Sequence, residues 1–548
     1  MSNLRSRVLQ VVAAFTFLLS SAFNPACAEN ISIRDVPLKP WTGFARSWDW
    51  TYDALHRVVL SGIAGKVVLN TKPMSRREMA LILADIIQRI QESQVTAFDH
   101  RTDLQPILLA LIEEFSPELL ALGIDAYGIR GAAPRFLEVK PLQHLQIRGG
   151  FTTNAPTDLE NSNGERLEQG LNLRFAGSSW AEAGGMLAAY LHPEFLVGSD
   201  HESGRLVEGY LKGRLGFAEL LAGREPLWWG PGFHGSMLFS NNALGLDMVR
   251  LQTANQITLP WLFKYLGPLK FAAFFGQFEE EREFPNAKLT GVRVDLAPFP
   301  WLELGLARAV MFDGKGRPKI NFYEWPGVHF YGNRLGTEGS KFAGNNLWQV
   351  DLTFRLGDVG RYVPITRDAE FYLDIAVDDT CCGTFYIPFK PGATAGIYLP
   401  NLFLSPDTSF RMEYSNTSSF NFTHSTWRDG LTRKGHVVSH FEGTAGADFF
   451  VRLTQRLDKR LDVGIELDLA QRGTTRSGFG FSSSRELHRH IGVDVSYRHS
   501  KNFTLNLGTR LEWVRNRDFV AGDSDVNLVH MFEATYAFDS AYGVDKKK

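Results

Sequence analysis

Residues 460–469 read Arg460-Leu461-Asp462-Val463-Gly464-Ile465-Glu466-Leu467-Asp468-Leu469, an unbroken alternation of apolar and polar side chains. In an extended strand, this alternation places the apolar side chains on one face and the acidic ones on the other. The same alternation returns between Leu142 and Phe538, for example at Asn502 to Trp513 and at Glu370 to Asp378. Charged residues occupy the polar face each time, which is typical of a membrane-spanning antiparallel β-barrel with lipid outside and a polar lumen.

From Leu142 onward the pattern predicts about eighteen strands, an even number as expected for a single-chain bacterial barrel. The clearest candidates are Gly170 to Ala176, Leu206 to Lys212, Lys288 to Leu296, Trp301 to Arg308, Leu347 to Leu356, Thr408 to Ser415, Ala445 to Leu453 and His488 to Tyr497. The last strand carries Phe532, Ala534, Tyr536 and Phe538 on one face. This aromatic end resembles the signal that the outer-membrane assembly machinery reads, although about ten residues follow it. We therefore expect that machinery, outer-membrane lipid and lipopolysaccharide to be partners of the chain.

The amino terminus predicts export from the cytoplasm. Arg5 and Arg7 precede an apolar run from Val8 to Leu19, and the small residues around Cys27 then lead to Glu29. This is the pattern of a cleaved secretory signal peptide, so residues 1–28 are predicted to be removed. Lipidation of Cys27 is an alternative, but Asn-Pro-Ala is a poor approach to a lipidated cysteine.

After the signal there is no run of about 18 apolar residues, so no membrane-spanning helix is predicted. The mean hydropathy of −0.15 is modest, as expected when spanning strands direct half of their side chains into a lumen. The 548 residues carry a formal charge of −2, which becomes about −4 once the two arginines of the signal are removed. A chain of this charge is not expected to bind nucleic acid.

Between Trp41 and Gly123 the apolar period lengthens from two to nearly four residues, which predicts helices. Ser75 and Glu78 form a predicted capping box at the start of one helix, and Ser116 with Pro117 marks the start of another. We predict a helical bundle over residues 29–131 that lies in the periplasm, followed by the barrel over residues 132–548. The bundle is expected to form a compact unit.

Catalytic, cofactor-binding and metal-binding residues are not predicted. The chain contains no Gly-x-Ser-x-Gly motif, and Cys381 and Cys382, as adjacent residues, could form a strained disulfide or remain free. His488 and His490 share one strand face and could share a metal ion, although two polar lumen residues are the more common explanation. A basic loop holds Arg428, Arg433, Lys434 and His436; it could meet an acidic glycan or lipopolysaccharide, or it could simply be solvated.

The most distinctive segment runs from Arg224 to Ala243 and contains two adjacent indoles, a Gly-Pro-Gly turn and paired carboxamides. Indole faces stack on the C–H faces of sugar rings, and carboxamides bond to hydroxyl groups. The alternative is a plug that folds into the lumen with its aromatic side chains buried. The candidate residues for either role are Trp228, Trp229, His234, Asn241 and Asn242.

This segment resembles the signature of the Wzi family of capsule assembly proteins, on the residues Trp229-Gly230-Pro231-Gly232, Gly235-Ser236 and Ser240-Asn241-Asn242-Ala243. Later segments are similar too, at Gly339 to Asp351 and at the acidic strand end before Cys381. The resemblance implies an eighteen-stranded, plugged barrel in the bacterial outer membrane. It also implies a lectin that holds capsular or related exopolysaccharide at the cell surface.

Two functions therefore remain open. The first is a surface lectin that assists capsule assembly, and the second is an outer-membrane porin selective for sugars or other solutes. Fold alone does not separate them.

Overall fold

The computed structural model describes residues 30–38, 49–92, 101–124, 128–129, 131–197, 202–331, 341–342, 344–381, 387–424, 426–473 and 484–545. The predicted signal peptide, Cys27 and Cys382 lie outside these residues. Cys381 ends a short strand, Asp379–Cys381, which pairs with Ile387–Phe389.

Eighteen antiparallel strands of the described chain close into one barrel. They are β1 Leu137–Thr152, β2 Gly170–Ala183, β3 Leu187–Val197, β4 Glu202–Leu215, β5 Ala218–Glu225, β6 Leu246–Thr253, β7 Pro268–Gln277, β8 Lys288–Phe299, β9 Leu302–Phe312, β10 Asn345–Leu356, β11 Ala369–Val377, β12 Gly392–Leu399, β13 Thr408–Asn416, β14 Ala447–Arg456, β15 Leu461–Arg472, β16 Glu486–Arg498, β17 Phe503–Arg515 and β18 Ser524–Ala537. Each strand pairs with its neighbours in sequence, and β18 pairs with β1 to close the ring. The predicted fold and strand number are confirmed.

The alternation of side chains along each strand separates the two surfaces of the wall. In β15, Ile465 and Leu467 are 48% and 39% exposed on the outer surface, whereas Glu466 and Asp468 are 2% and 1% exposed in the interior. A one-residue slip in register would exchange these two sets. The apolar outer surface therefore fixes the register of the whole wall.

The connections divide the barrel into two ends. At one end, which we call the turn end, β2 and β3 are joined at residues 184–186 and β8 and β9 at residues 300–301. At the other, which we call the loop end, long segments join β1 to β2, β5 to β6, β9 to β10 and β13 to β14. These segments include the candidate residues.

The N-terminal region contains the predicted helices: α1 Trp50–Leu60, α2 Arg76–Gln91, α3 Gln105–Glu114 and α4 Ser116–Ala121. Ser75 caps α2 by accepting a bond from the Glu78 amide, but the predicted capping box is only half formed. The Glu78 carboxylate instead contacts Lys270 of β7 at 2.7 Å, because a buried ammonium group needs a charged partner. Among the described residues, no helix is both long enough and apolar enough to cross a membrane.

The N-terminal residues are bonded to the inner wall near the turn end. Asp35 lies between Lys212 of β4 and Arg250 of β6, at 2.6 Å and 2.7 Å. Arg101 pairs with Asp368 beside β11 at 2.5 Å. All of these side chains are buried, so the region is held by ion pairs as well as by its apolar core. The boundary of the helical bundle at residue 131 stays a prediction.

Asp35 is expected to be a main attachment of this region. Replacement by Asn (Asp35→Asn) removes the acid that two buried cations share, although Lys212 keeps Glu219 and Arg250 keeps Glu225, each at 2.7 Å. Breaking a buried ion pair costs up to about 3–5 kcal/mol. We expect a lower melting temperature in detergent and faster proteolysis of residues 49–92. The control Asp85→Asn breaks an exposed pair with Arg89, worth only about 0.3–0.5 kcal/mol. Equal effects of the two changes would contradict this role of Asp35.

Candidate functional site

The segment that joins β5 to β6, residues 226–245, folds into the lumen. Gly230 adopts φ +131°, a conformation that favours glycine. A Cβ at this position would lie 2.7 Å from the Asp374 carboxylate of β11. Glycine therefore allows the segment to lie directly against the wall.

Residues 226–245 and the N-terminal region together occupy the lumen, and we call them the filling. Trp228 and Trp229 lie inside it, and each is 0% exposed. Trp228 packs against the apolar core of the N-terminal helices, and its indole N–H donates to the Gly232 carbonyl at 3.1 Å. Trp229 packs edge-on against Phe239 and Phe274, with ring centroids 5.0 Å and 5.6 Å away. Both indoles are therefore buried where a plug would lie. Their contact with sugar stays a prediction.

The same pair of residues joins the two halves of the filling. Trp228–Trp229 forms a two-stranded antiparallel sheet with Thr71–Lys72 of the N-terminal region. The Gly230 amide also donates to the Asn70 carbonyl at 2.9 Å. A segment from the loop end and a segment from the turn end thus meet within the lumen.

Carboxylates of the wall hold the inward segment by its backbone. Glu413 of β13 accepts from the amides of Phe233 and His234, the second at 2.8 Å. Asp374 of β11 accepts from the Met237 amide at 3.0 Å. These acids therefore fix the segment to the wall.

His234 is 3% exposed and lies against β14 and β15. Its ring stacks on Phe450 at a centroid distance of 3.9 Å, and Nε2 lies 3.0 Å from Oδ2 of Asp468. His488 and His490, which could have shared a metal ion, have separate partners. His488 contacts Glu486 at 2.5 Å, and His490 contacts Asp468 at 3.1 Å.

Asn241 and Asn242 connect three loops at the loop end. The Asn241 carbonyl accepts from the Asn163 amide at 2.7 Å. The Asn242 side chain accepts from the Asn161 amide at 3.2 Å and donates to the Val437 carbonyl at 2.9 Å. These bonds join residues 153–169, 226–245 and 417–446. The backbone of Asn241 and the carboxamide of Asn242 thus help to build the floor on which the outer loops rest.

A cavity of about 680 Å³ opens above this floor. Its lining combines acidic, basic, amide and aromatic side chains contributed by several loops. They include Asp158, Glu160, Asn242, Glu279, Glu281, Arg282, Phe422, Arg428, Asp429, Lys434, His436, Phe441, Glu442, Arg472 and Phe519. Of the five candidate residues, Asn242 lines this cavity, whereas Trp228 and Trp229 do not.

Ion pairing and burial set the charges around the cavity. Burial opposes ionisation of Glu160, but Arg510 at 2.8 Å outweighs it and lowers the pKa of Glu160 to about 2. Burial raises the pKa of Glu442 to about 8, although Arg472 acts in the opposite direction. Glu160 is therefore held in its ionised form, whereas burial favours the neutral form of Glu442.

The basic loop forms one side of this cavity. The side chain of Arg428 is 71% exposed, and Lys434 is exposed beside it. Arg282 of the neighbouring loop is buried; it donates to the Gly430 carbonyl at 2.7 Å and stacks on Phe278. The arrangement supplies exposed cations at the rim and a fixed cation below. Sequence patterns predicted the basic loop but not the partners that hold it.

Comparison with known proteins identifies the family. A family model described as "Capsule assembly protein Wzi" matches residues 148–528. An uncharacterized 55.8 kDa protein from the cps region of Klebsiella pneumoniae is 32% identical over 135 residues, which are 24% of this chain and 26% of that protein. The match thus spans only about a quarter of that relative.

A solved structure has the same fold. It is Wzi from Escherichia coli, described as an outer membrane protein involved in group 1 capsule assembly and as a carbohydrate-binding β-barrel. The TM-score is 0.65, with 17% identity over 89% of this chain and 98% of the other. At this identity the similarity establishes the fold.

We expect the two indoles to stabilise the plug. Replacing Trp228 or Trp229 by Ala removes a fully buried indole and leaves a cavity, which typically costs about 3–5 kcal/mol. The melting temperature in detergent should fall for either variant. Trp261→Ala is the matched control, because Trp261 is 79% exposed and its loss should change stability little. A melting temperature unchanged in both buried variants would exclude a plug role for the indoles.

Proposed function

This chain belongs to the Wzi family of capsule assembly proteins, and on that basis we propose that it is a lectin. It binds exported capsular or related exopolysaccharide and anchors it at the cell surface. The barrel lies in the bacterial outer membrane, with the loop end facing outward. Carbohydrate binding by the Escherichia coli protein of the same fold supports this proposal.

The observation that carries the proposal is the cavity at the loop end. Its size falls in the usual range for ligand sites, and its amide, acidic and basic groups offer both donors and acceptors to hydroxyl groups. Phe519 is half-buried at the lining and offers an apolar face to a sugar ring. We propose that the sugar contact occurs here, with Asn242 as the member of the predicted site that takes part.

The filled lumen supports a lectin over a diffusion porin. The N-terminal region is bonded to the wall near the turn end, and residues 226–245 are bonded to it from the loop end. Their contact through Thr71–Lys72 and Trp228–Trp229 lies between the two. A continuous open path is not expected through such packing.

We further propose that residues 29–131 face the periplasm and that the barrel is inserted by the outer-membrane assembly machinery. The helices lie at the turn end, which is normally periplasmic in such barrels. Lipid and lipopolysaccharide would contact the apolar outer surface, which includes Leu211 at 68% exposure and Leu507 at 56%.

Recordings in planar lipid bilayers test the porin alternative. We expect the purified full-length protein to give no stable open channel of porin size. Such a channel, observed reproducibly with the native chain, would contradict the lectin as the main role.

Loss of the rim cations is expected to weaken glycan binding. In the double variant Arg428→Ala with Lys434→Ala, two charged donors are removed, and a hydrogen bond to a charged group is worth about 1.5–3 kcal/mol. Affinity for exopolysaccharide purified from the native strain should fall about tenfold or more. Isothermal titration calorimetry with the detergent-solubilised protein measures this.

Arg361→Ala is the matched control, because Arg361 is 70% exposed at the turn end, nearly as exposed as Arg428. It should bind glycan as the native protein does. The variant Trp228→Ala should also retain binding if the indoles serve only the plug. Full affinity in the double variant, with normal folding, would remove the cavity rim from the binding surface.

A further inference from the structure

We propose that His234, Asp448 and Asp468 bind one divalent transition-metal ion, which attaches the inward segment to the barrel wall. His234 belongs to residues 226–245, whereas Asp448 and Asp468 belong to β14 and β15. An ion held by all three would join the filling of the lumen to two neighbouring strands. None of the three residues lines the glycan cavity, and the site would be structural.

The three side chains have suitable spacing for a shared ion. Nε2 of His234 lies 3.0 Å from Oδ2 of Asp468 and 3.9 Å from Oδ2 of Asp448. Each residue offers one ligand atom, and all of these atoms lie within 4.8 Å of one another. Ligand atoms that share a tetrahedral Zn²⁺ at about 2.0–2.2 Å are roughly 3.4 Å apart. The observed distances lie on either side of that value.

The carboxylates also lack the partners that burial requires. The Asp448 side chain is 0% exposed, and neither of its oxygens has a hydrogen-bond donor among the described residues. Oδ1 of Asp468 also has no hydrogen-bond donor among those residues. An isolated buried carboxylate is costly, and two that lie close together need a proton or a cation between them. The unpartnered oxygens therefore indicate a ligand.

Protonated histidine does not satisfy both acids. An imidazolium at His234 would pair with Asp468, but its Nε2 is 3.9 Å from Asp448, too far for a hydrogen bond. His490 also contacts Asp468, at 3.1 Å. Asp448 would remain without a partner. A divalent cation would neutralise the charges of both carboxylates, and the imidazole would bind it in the neutral form.

The surroundings fix the ligands in place. Phe450 stacks on the His234 ring at 3.9 Å, with only 9° between the planes, and Phe441 meets the ring edge-on at 4.8 Å. His490 is a positioning residue for Asp468. Partners of this kind set the orientation of a metal ligand and raise metal affinity.

The ligand set indicates the class of ion. One imidazole nitrogen with two carboxylate oxygens suits Zn²⁺ and other first-row divalent ions, whereas Ca²⁺ and Mg²⁺ prefer oxygen ligands alone. The site is buried, with His234 the most exposed member at 3%. An ion would therefore be taken up as the chain folds, and its binding would contribute to folding stability.

Refolding of the full-length protein tests the proposal. Denatured protein is refolded into detergent with a chelator or with equimolar Zn²⁺, desalted, and analysed for metal content and melting temperature. We expect one equivalent of Zn²⁺ per chain in the second sample and a melting temperature several degrees above that of the chelated sample. His234→Gln and Asp448→Asn should both lose the bound Zn²⁺ and the Zn²⁺-dependent shift.

His488→Gln is the matched control, because His488 is a histidine of the same strand as His490 but pairs with Glu486. It should retain the ion. If His234→Gln fails to fold, Asp448→Asn still tests the proposal. This variant removes one of two facing negative charges and should therefore fold without metal. If native-sequence protein refolded with Zn²⁺ holds no Zn²⁺ at neutral pH, the proposal is wrong. A proton shared by Asp448 and Asp468 would then explain how the two acids lie close together. Equal Zn²⁺ content in Asp448→Asn and the native chain would overturn the proposal as well.

Discussion

Every charge that faces the lumen must be paired, and the rest of the structure depends on this constraint. The wall directs acids and bases inward from nearly every strand, because the outer face is reserved for apolar side chains. Other strands of the wall satisfy some of them, as Asp351 of β10 pairs with Arg293 of β8 across β9 at 2.7 Å. Others are satisfied by chain that enters the barrel, as Lys270 of β7 is by Glu78 at 2.7 Å. The filling is thus an electrostatic requirement of the wall as much as an obstruction of the lumen.

The fold was largely predictable because its signal is local. Alternation with a period of two needs only the neighbouring residues, and it located the strands, their faces and, approximately, their number. The helices were visible for the same reason, from the longer apolar period around Tyr52 and Met79. By contrast, Glu78 followed the pattern of a capping box, yet its carboxylate went to Lys270, which lies 192 residues away. A distant buried cation is a stronger partner than a local amide, and no sequence window contains it.

The candidate site was predictable only in part. Adjacent indoles and paired carboxamides identified the segment around Trp228 and Asn242, because such residues are rarely grouped without a structural or binding role. The sequence left open whether the indoles are buried in a plug or meet sugar, because their depth depends on Glu413 and Asp374 accepting from the segment's backbone amides. Phe519 and Glu160 were missed altogether. They are ordinary residues in sequence, and only the meeting of several loops places them around one cavity.

Attachment of residues 226–245 to the wall also determines how the barrel would bear a pulling force. If the proposed polymer is held at the loop end, drag on it would put tension on the segment, which would pass through the amide bonds to Glu413 and Asp374 into β13 and β11. Those strands belong to a closed ring of backbone hydrogen bonds. The load would be shared around the circumference, so that pulling on the polymer strains the whole ring slightly rather than any single strand severely.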